Sequence, residues 1–239
     1  MNLSQGAFIF KYFSMLKHIR RDNSAHIMKP YDTYLADKTT IIAYYENCLK
    51  RHQDELKIVG WRSKKRQDLR FKVLSQIDDL SHSSVLDLGC GLGALGEFFQ
   101  KQEIQVYYTG YELCGRMVNM AKKLRPYLRI KEVDILKDDV QERFDWILSS
   151  GVFNLRLNDN LAFLKKMLAK SFDLCELGVG VNMLSTYVDY QDAELYYARP
   201  EEVFAFAKTM TPRVALRYDY MPYEFTLYLY KTDFEPDAF

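Results

Sequence analysis

Three glycines in the spacing Gly89-x-Gly91-x-Gly93 follow the apolar run "VLDL" and precede a helical pattern that begins at Ala94. Glycine costs backbone entropy in such a place, so the pattern calls for a sharp turn and for something brought close to the main chain. Carboxylates stand at matching positions around it. Asp87 precedes the first glycine by two residues, Glu112 closes the run "YYTGYE", and Asp134 ends another in "KEVDIL". Acids so placed suit an ammonium group, a pair of ribose hydroxyls and an adenine amino group respectively, so the chemistry is that of holding a nucleoside cofactor. The glycines alone leave its identity open. Gly89-x-Gly91-x-x-Ala94, with Glu112 about 20 residues on, also satisfies the dinucleotide fingerprint of NAD. Asp87, Asp134 and the chain's C-terminal hairpin pattern weigh against that reading.

The elements that must position these residues alternate along the chain. Strand patterns fall at Ser84–Leu88, Val106–Glu112, Ile130–Ile135, Phe144–Ser149 and Glu176–Leu184, with helices at Ala94–Lys101, Gly115–Arg125 and Asp159–Phe172 between them. Such alternation means a parallel sheet with helices on both faces, whose ligands bind beyond the carboxyl ends of the strands. Upstream, a helix from Asp37, its N-cap, presents Ile41, Tyr45, Cys48 and Leu49 on one face, and a second covers Gln67–Ile77. Pro200 opens a further helix with Glu201 and Glu202 at its positive end. The strands Arg213–Asp219 and Glu224–Lys231, joined through "YMPY", close the chain as a hairpin. Between them and the parallel part lies a long loop, Ser185–Arg199. Loops of that length serve as lids or binding loops when they have no structure of their own.

The chain has 239 residues, enough for one large α/β domain with an extension, and a net charge of +1 gives no global field toward nucleic acid. Its four cysteines, Cys48, Cys90, Cys114 and Cys175, are scattered, which predicts a reducing, cytoplasmic setting without disulfides and without a metal site. No stretch reaches the ~20 apolar residues of a membrane span. The first segment, "GAFIFKYFSMLKHIRR", sets Phe8, Tyr12, Met15 and Ile19 at helical spacing among basic residues. It reads as a helix docked on the protein's own surface or, alternatively, on a membrane. Met28 could equally begin a chain of its own.

"VLDLGCGLG", "YTGYEL", "VDIL" and "FDWILSSGVFNL", in that order, resemble the motifs of the class I S-adenosylmethionine-dependent methyltransferases. The likeness runs from about Ser84 to Lys231. It implies a Rossmann-like α/β fold, a seven-stranded, mostly parallel sheet whose last strand is antiparallel. It divides the chain into an N-terminal helical extension and cofactor flap (1–83) and a catalytic domain (84–239). It further implies that Gly89, Cys90, Gly91 and Gly93 border the methionine part of S-adenosylmethionine, with Asp87 near the amino group. Glu112 would take the ribose hydroxyls, Asp134 the adenine amino group, and Leu113, Ile135 and Met117 would cover the ring, with Ser150 at the end of the fourth strand. In family members a helical flap often folds over the cofactor, which here brings in Trp61, Arg62, Gln67 and Arg70, with Arg62 or Arg70 set against the cofactor carboxylate.

The resemblance implies methyl transfer to an O or N atom of a small organic acceptor. All four histidines (His18, His26, His52, His82) precede the glycine motif, so no histidine base comes from the loops after the later strands. The groups left near the methyl are Asp189, Tyr187, Tyr190, Tyr196 and Tyr197 in the long loop, with Asn154 to orient the acceptor. Tyrosines offer apolar faces with a polar handle. The Asn/Asp-Pro-Pro-aromatic motif of DNA amino-methyltransferases is absent, so DNA is not expected. "RSKKRQDLR" keeps RNA as an alternative acceptor, and a catalytically silent cofactor-binding partner is the other. Asp159-Asn160 reads as a helix cap rather than a metal ligand pair.

Overall fold

The computed structural model describes residues 30–231. The basic, apolar segment before residue 30 lies outside them. Strands β1 (Ser84–Leu88), β2 (Tyr107–Glu112), β3 (Arg129–Glu132), β4 (Phe144–Ser150), β5 (Cys175–Leu184), β6 (Val214–Met221) and β7 (Glu224–Tyr230) form one seven-stranded sheet in the order β3-β2-β1-β4-β5-β7-β6. All neighbours are parallel except β7, which runs antiparallel to both β5 and β6. The order reverses beside β1, and a crevice opens there beyond the strand ends.

Side-chain alternation fills both faces. Val85, Trp146 and Leu148 pack under α3 (Lys64–Leu74) and α4 (Ala94–Lys101). Leu86, Ile147 and Val179 pack on the other face, under α6 (Asn160–Leu174) and α7 (Pro200–Lys208). Phe144 shares the face of Ile147, three residues on, because the register shifts between Phe144 and Trp146. The remaining helices are α1 (Pro30–Arg51), the short α2 (Glu55–Ile58) and α5 (Gly115–Leu124).

Three expectations are corrected. The first upstream helix starts at Pro30, and Asp37 is inside it rather than its cap. The Asp37 carboxylate instead accepts from the backbone N–H and side-chain amide of Asn158, at 2.9 and 2.7 Å. β3 ends at Glu132, because Asp134 donates its N–H to the Asp138 carboxylate and its carbonyl caps a turn through Lys137 and Asp138. The closing hairpin turns on Pro222-Tyr223 alone, with Met221 and Glu224 already paired. Asp159 is an N-cap, accepting from the N–H of Ala162 at 3.0 Å, and Asn160 accepts from the N–H of Leu157. Among the described residues no helix is long and apolar enough to cross a membrane.

Candidate active site

The glycine loop leaves β1 and passes over the end of β2. Gly89 and Cys90 both donate to the Tyr111 carbonyl, at 2.8 and 3.0 Å, which bends the chain sharply. Gly89 has φ of +70°, and a Cβ there would lie 2.1 Å from Val152 Cγ2, so any other residue would be strained and would force Val152 to move. A methyl at Gly91 would sit 3.2 Å from Val59 Cγ1, in the segment that covers the loop. Gly89, Cys90 and Gly91 border a cavity of about 1240 Å³. Gly93 does not border it. It caps α4 and faces Leu128 and Ile130, so its role is close helix–strand packing rather than approach of a ligand.

The three acids border the same cavity. Asp87 is buried at the end of β1, accepts from the Tyr108 hydroxyl at 2.7 Å, and is pushed up to about 7 by that burial. Glu112, also buried, holds the loop itself. One oxygen accepts from Gly91 N at 2.9 Å and the other from Cys114 N at 3.0 Å, while burial raises its pKa above the usual carboxylate value. Its carboxylate thus ties the glycine loop to the turn after β2 at the cavity wall. Asp134 stands beyond β3, with Ile135 and Leu113 beside it on the cavity wall. An ammonium, a diol and an adenine amino group placed along these acids match the cofactor expected. Met117 does not border the cavity: it is fully buried in a small apolar cluster with Ile58, Leu92 and Cys114, its methyl 3.8 Å from where a Cβ on Gly91 would lie. Cys90 is buried and its thiol pKa is raised by that burial, so it is not a nucleophile.

Residues 55–67 lie across the loop. Arg125 anchors them, pairing with Glu55 at 2.8 Å and with Glu97 at 2.6 Å while donating to the Leu92 carbonyl. Trp61 covers Gly151, just past β4. Arg62, Gln67 and Arg70 also border the cavity, but Arg70 is committed to a protein partner. Its guanidinium pairs with the buried Glu224 at the start of β7 and stacks 4.0 Å from the centre of the Trp61 ring. That removes it as the anchor of a ligand carboxylate. Arg62 is exposed at the cavity edge and remains.

At the other end, the loop after β5 is bonded rather than structureless. Arg156 donates to the Ala193 and Leu195 carbonyls, and Tyr196 N donates to the Asn154 carbonyl at 2.8 Å. Asn154, Tyr187, Asp189, Tyr190 and Tyr197 all border the cavity with Ser150, which hydrogen-bonds the Asn182 side chain. Tyr196 packs on the main core and is no candidate. Sequence reasoning missed the wall built by α1. Tyr34, Ile41 and Tyr45 line the cavity from one helix face, a spacing visible in the sequence without its destination.

Residues 85–170 match the family model described as "Methyltransferase domain". The chain is 32% identical over 155 residues to "Putative methyltransferase Rv1506c" of Mycobacterium tuberculosis, covering 62% of this chain and 93% of that protein. Among solved structures, magnesium protoporphyrin IX methyltransferase (ChlM) from Synechocystis PCC 6803 with bound SAM superposes with TM-score 0.59 at 13% identity, over 82% of this chain and 97% of that one. A TehB-like SAM-dependent methyltransferase from Corynebacterium glutamicum gives 0.56 at 18%, over 80% and 99%. At such identities the structures establish the fold, and the sequence relative, matched along nearly its whole length, supplies the rest: the chain belongs to the class I S-adenosylmethionine-dependent methyltransferases, with S-adenosylmethionine as its cofactor.

Proposed function

We propose that the methyl acceptor is a small organic molecule, taken at an O or N atom in the part of the cavity walled by Asn154 and the Ser185–Arg199 loop. The observation that carries this is volume. About 1240 Å³ exceeds the roughly 300–1,000 Å³ of a pocket for one small ligand, so a cofactor and a modest second molecule fit together. Bound S-adenosylmethionine supplies the electrophilic methyl group. The chain supplies alignment, which is worth about 7–11 kcal/mol when the geometry is right.

The polar groups at that end divide the work. The Tyr197 hydroxyl accepts from Asp192 N at 3.0 Å, so its own proton is free to point at an acceptor. Asn154 accepts from Leu184 N at 3.4 Å through its carbonyl oxygen, which leaves its amide N–H groups as donors. Asp189 is exposed, makes no hydrogen bond or ion pair among the described residues, and is the base where one is required. Tyr187, 62% exposed, gives an aromatic surface at the mouth.

Two of the five cations in the basic segment that favours RNA are paired with neighbours. Lys64 pairs with Asp68 at 2.7 Å and Arg70 is neutralised by Glu224. Incubation with labelled S-adenosylmethionine and a fractionated cell extract, followed by mass spectrometry, tests the proposal. Label is expected in the small-molecule fraction, and label confined to RNA or protein overturns it.

A further inference from the structure

Helix α1 reaches the acid expected to read adenine. Tyr34 donates its hydroxyl proton to Asp134 Oδ1 at 2.5 Å, and Lys38, one turn on, donates to Oδ2 at 2.8 Å. Leu136 N donates to Oδ1 at 3.1 Å. An ionised carboxylate offers about four acceptor sites, two on each oxygen. Oδ1 is therefore saturated, and Oδ2 keeps a single site. With both oxygens held, the group cannot turn about its own bond to exchange them. The Asp134 side chain is 5% exposed and Lys38 27%, so the pair is largely shielded from solvent. The helix is fixed beside it: Asp37 holds Asn158 through two hydrogen bonds, and the Tyr34 ring stacks on Phe163 at 6.4 Å. Tyr34 and Asp134 both border the cavity.

We propose that Tyr34 and Lys38 are positioning residues of the cofactor site, which leave Asp134 one fixed acceptor position and so make the enzyme select a 6-amino purine over a 6-oxo purine. The inference rests on reading Asp134 as the partner of the adenine amino group. A fixed acceptor meets an amino donor well and a carbonyl oxygen badly, whereas a carboxylate free to turn can adjust to the neighbouring ring N–H of the oxo purine. Discrimination therefore belongs to the clamp as well as to the acid.

Calorimetry on the full chain with S-adenosylhomocysteine and its deaminated counterpart, S-inosylhomocysteine, tests this. The unchanged protein is expected to prefer the amino form by about 10²-fold, K38M to reduce that ratio about tenfold, Y34F to reduce it less, and K38R to restore it. An unchanged ratio in K38M overturns the proposal. So does tighter S-adenosylhomocysteine binding by K38M, which would make Lys38 a competitor of adenine. D134N keeps the two readings apart. If D134N binds S-adenosylhomocysteine as well as the unchanged protein does, the assignment of Asp134 itself fails. If D134N binds weakly while K38M keeps the full ratio, only the role of α1 fails.

Discussion

The Tyr108 hydroxyl and the Asp87 carboxylate meet at 2.7 Å beneath the glycine loop, in surroundings so dry that Asp87 is pushed up to about 7. Burial is the main cause and the charge of Glu112 adds to it, while the bond from Tyr108 offsets part of the shift. An acid in that state is half-charged near neutrality, and an ammonium group beside it completes the ionisation.

Cofactor affinity is therefore expected to rise as pH increases through about 7, and binding at pH ~6 to release about one proton. Calorimetry in buffers of different ionisation heat measures this, and D87N should abolish it. Without cofactor the sign reverses. Between pH ~4 and ~7 the folded chain keeps a proton that the unfolded chain has lost, so stability falls across that window, by on the order of 1–4 kcal/mol. D87N should flatten the fall, as read from urea midpoints against pH.

Glu112 holds Gly91 N and Cys114 N, and if it is also the ribose partner that the resemblance implies, its loss carries two costs. E112A is expected to weaken S-adenosylhomocysteine binding by about 10²-fold and to lower the thermal midpoint as well, because two buried N–H groups lose their acceptor. E112Q, which keeps a carbonyl oxygen, should recover part of the stability and little of the affinity. Equal recovery of both would mean that Glu112 only shapes the loop.

The Arg70–Glu224 pair is buried on both sides. R70A should cost about 3–5 kcal/mol in denaturant unfolding, since it leaves Glu224 uncompensated, whereas an R70M/E224L double variant should recover most of that loss. A loss below ~1 kcal/mol for R70A would show the pair to be dispensable.

In the loop after β5, Y187A and Y197A are expected to lower turnover tenfold or more while leaving the cofactor Kd within about threefold, the outcome that follows if their contacts are made to the acceptor as proposed. Loss of cofactor binding instead would move the acceptor site elsewhere.

Residues 55–72 should show slower amide exchange when S-adenosylhomocysteine is added, as Val59 and Trp61 sit against Gly91 and Gly151 and gain a further partner below. Unchanged exchange there would mean that the segment is a fixed wall and not a cover that responds to the ligand.

What the sequence made legible was local. β1 and α4 have the limits that the apolar pattern and the glycines predict, and Asp87, Glu112 and Asp134 reach one cavity because each ends or follows a parallel strand. What stayed hidden depends on partners far along the chain. Asp37 looks like a cap until Asn158 arrives beside it, and Arg70 looks like a free cation until Glu224 does. Met117 and Gly93 lie off the cavity wall for another reason: a ligand-facing residue and one packed behind the ligand's loop share the same periodicity. The helical spacing of Tyr34 was visible, but nothing in the sequence tied Tyr34 or Lys38 to Asp134, which lies 100 and 96 residues away.

The bond between Arg70 and Glu224 joins the segment over the glycine loop to the last strand, 154 residues later. On a ribosome adding about 5–20 residues per second, Arg70 waits roughly 8–30 seconds for that partner to be made. Until then the guanidinium and Trp61 have no final place, although the glycine loop and the acids after β1, β2 and β3 are already synthesised. A nascent chain could thus hold the cofactor's pieces before it can close over them. Closure of this segment through the Arg70–Glu224 pair therefore follows synthesis of the C-terminal hairpin, which also forms the edge of the sheet.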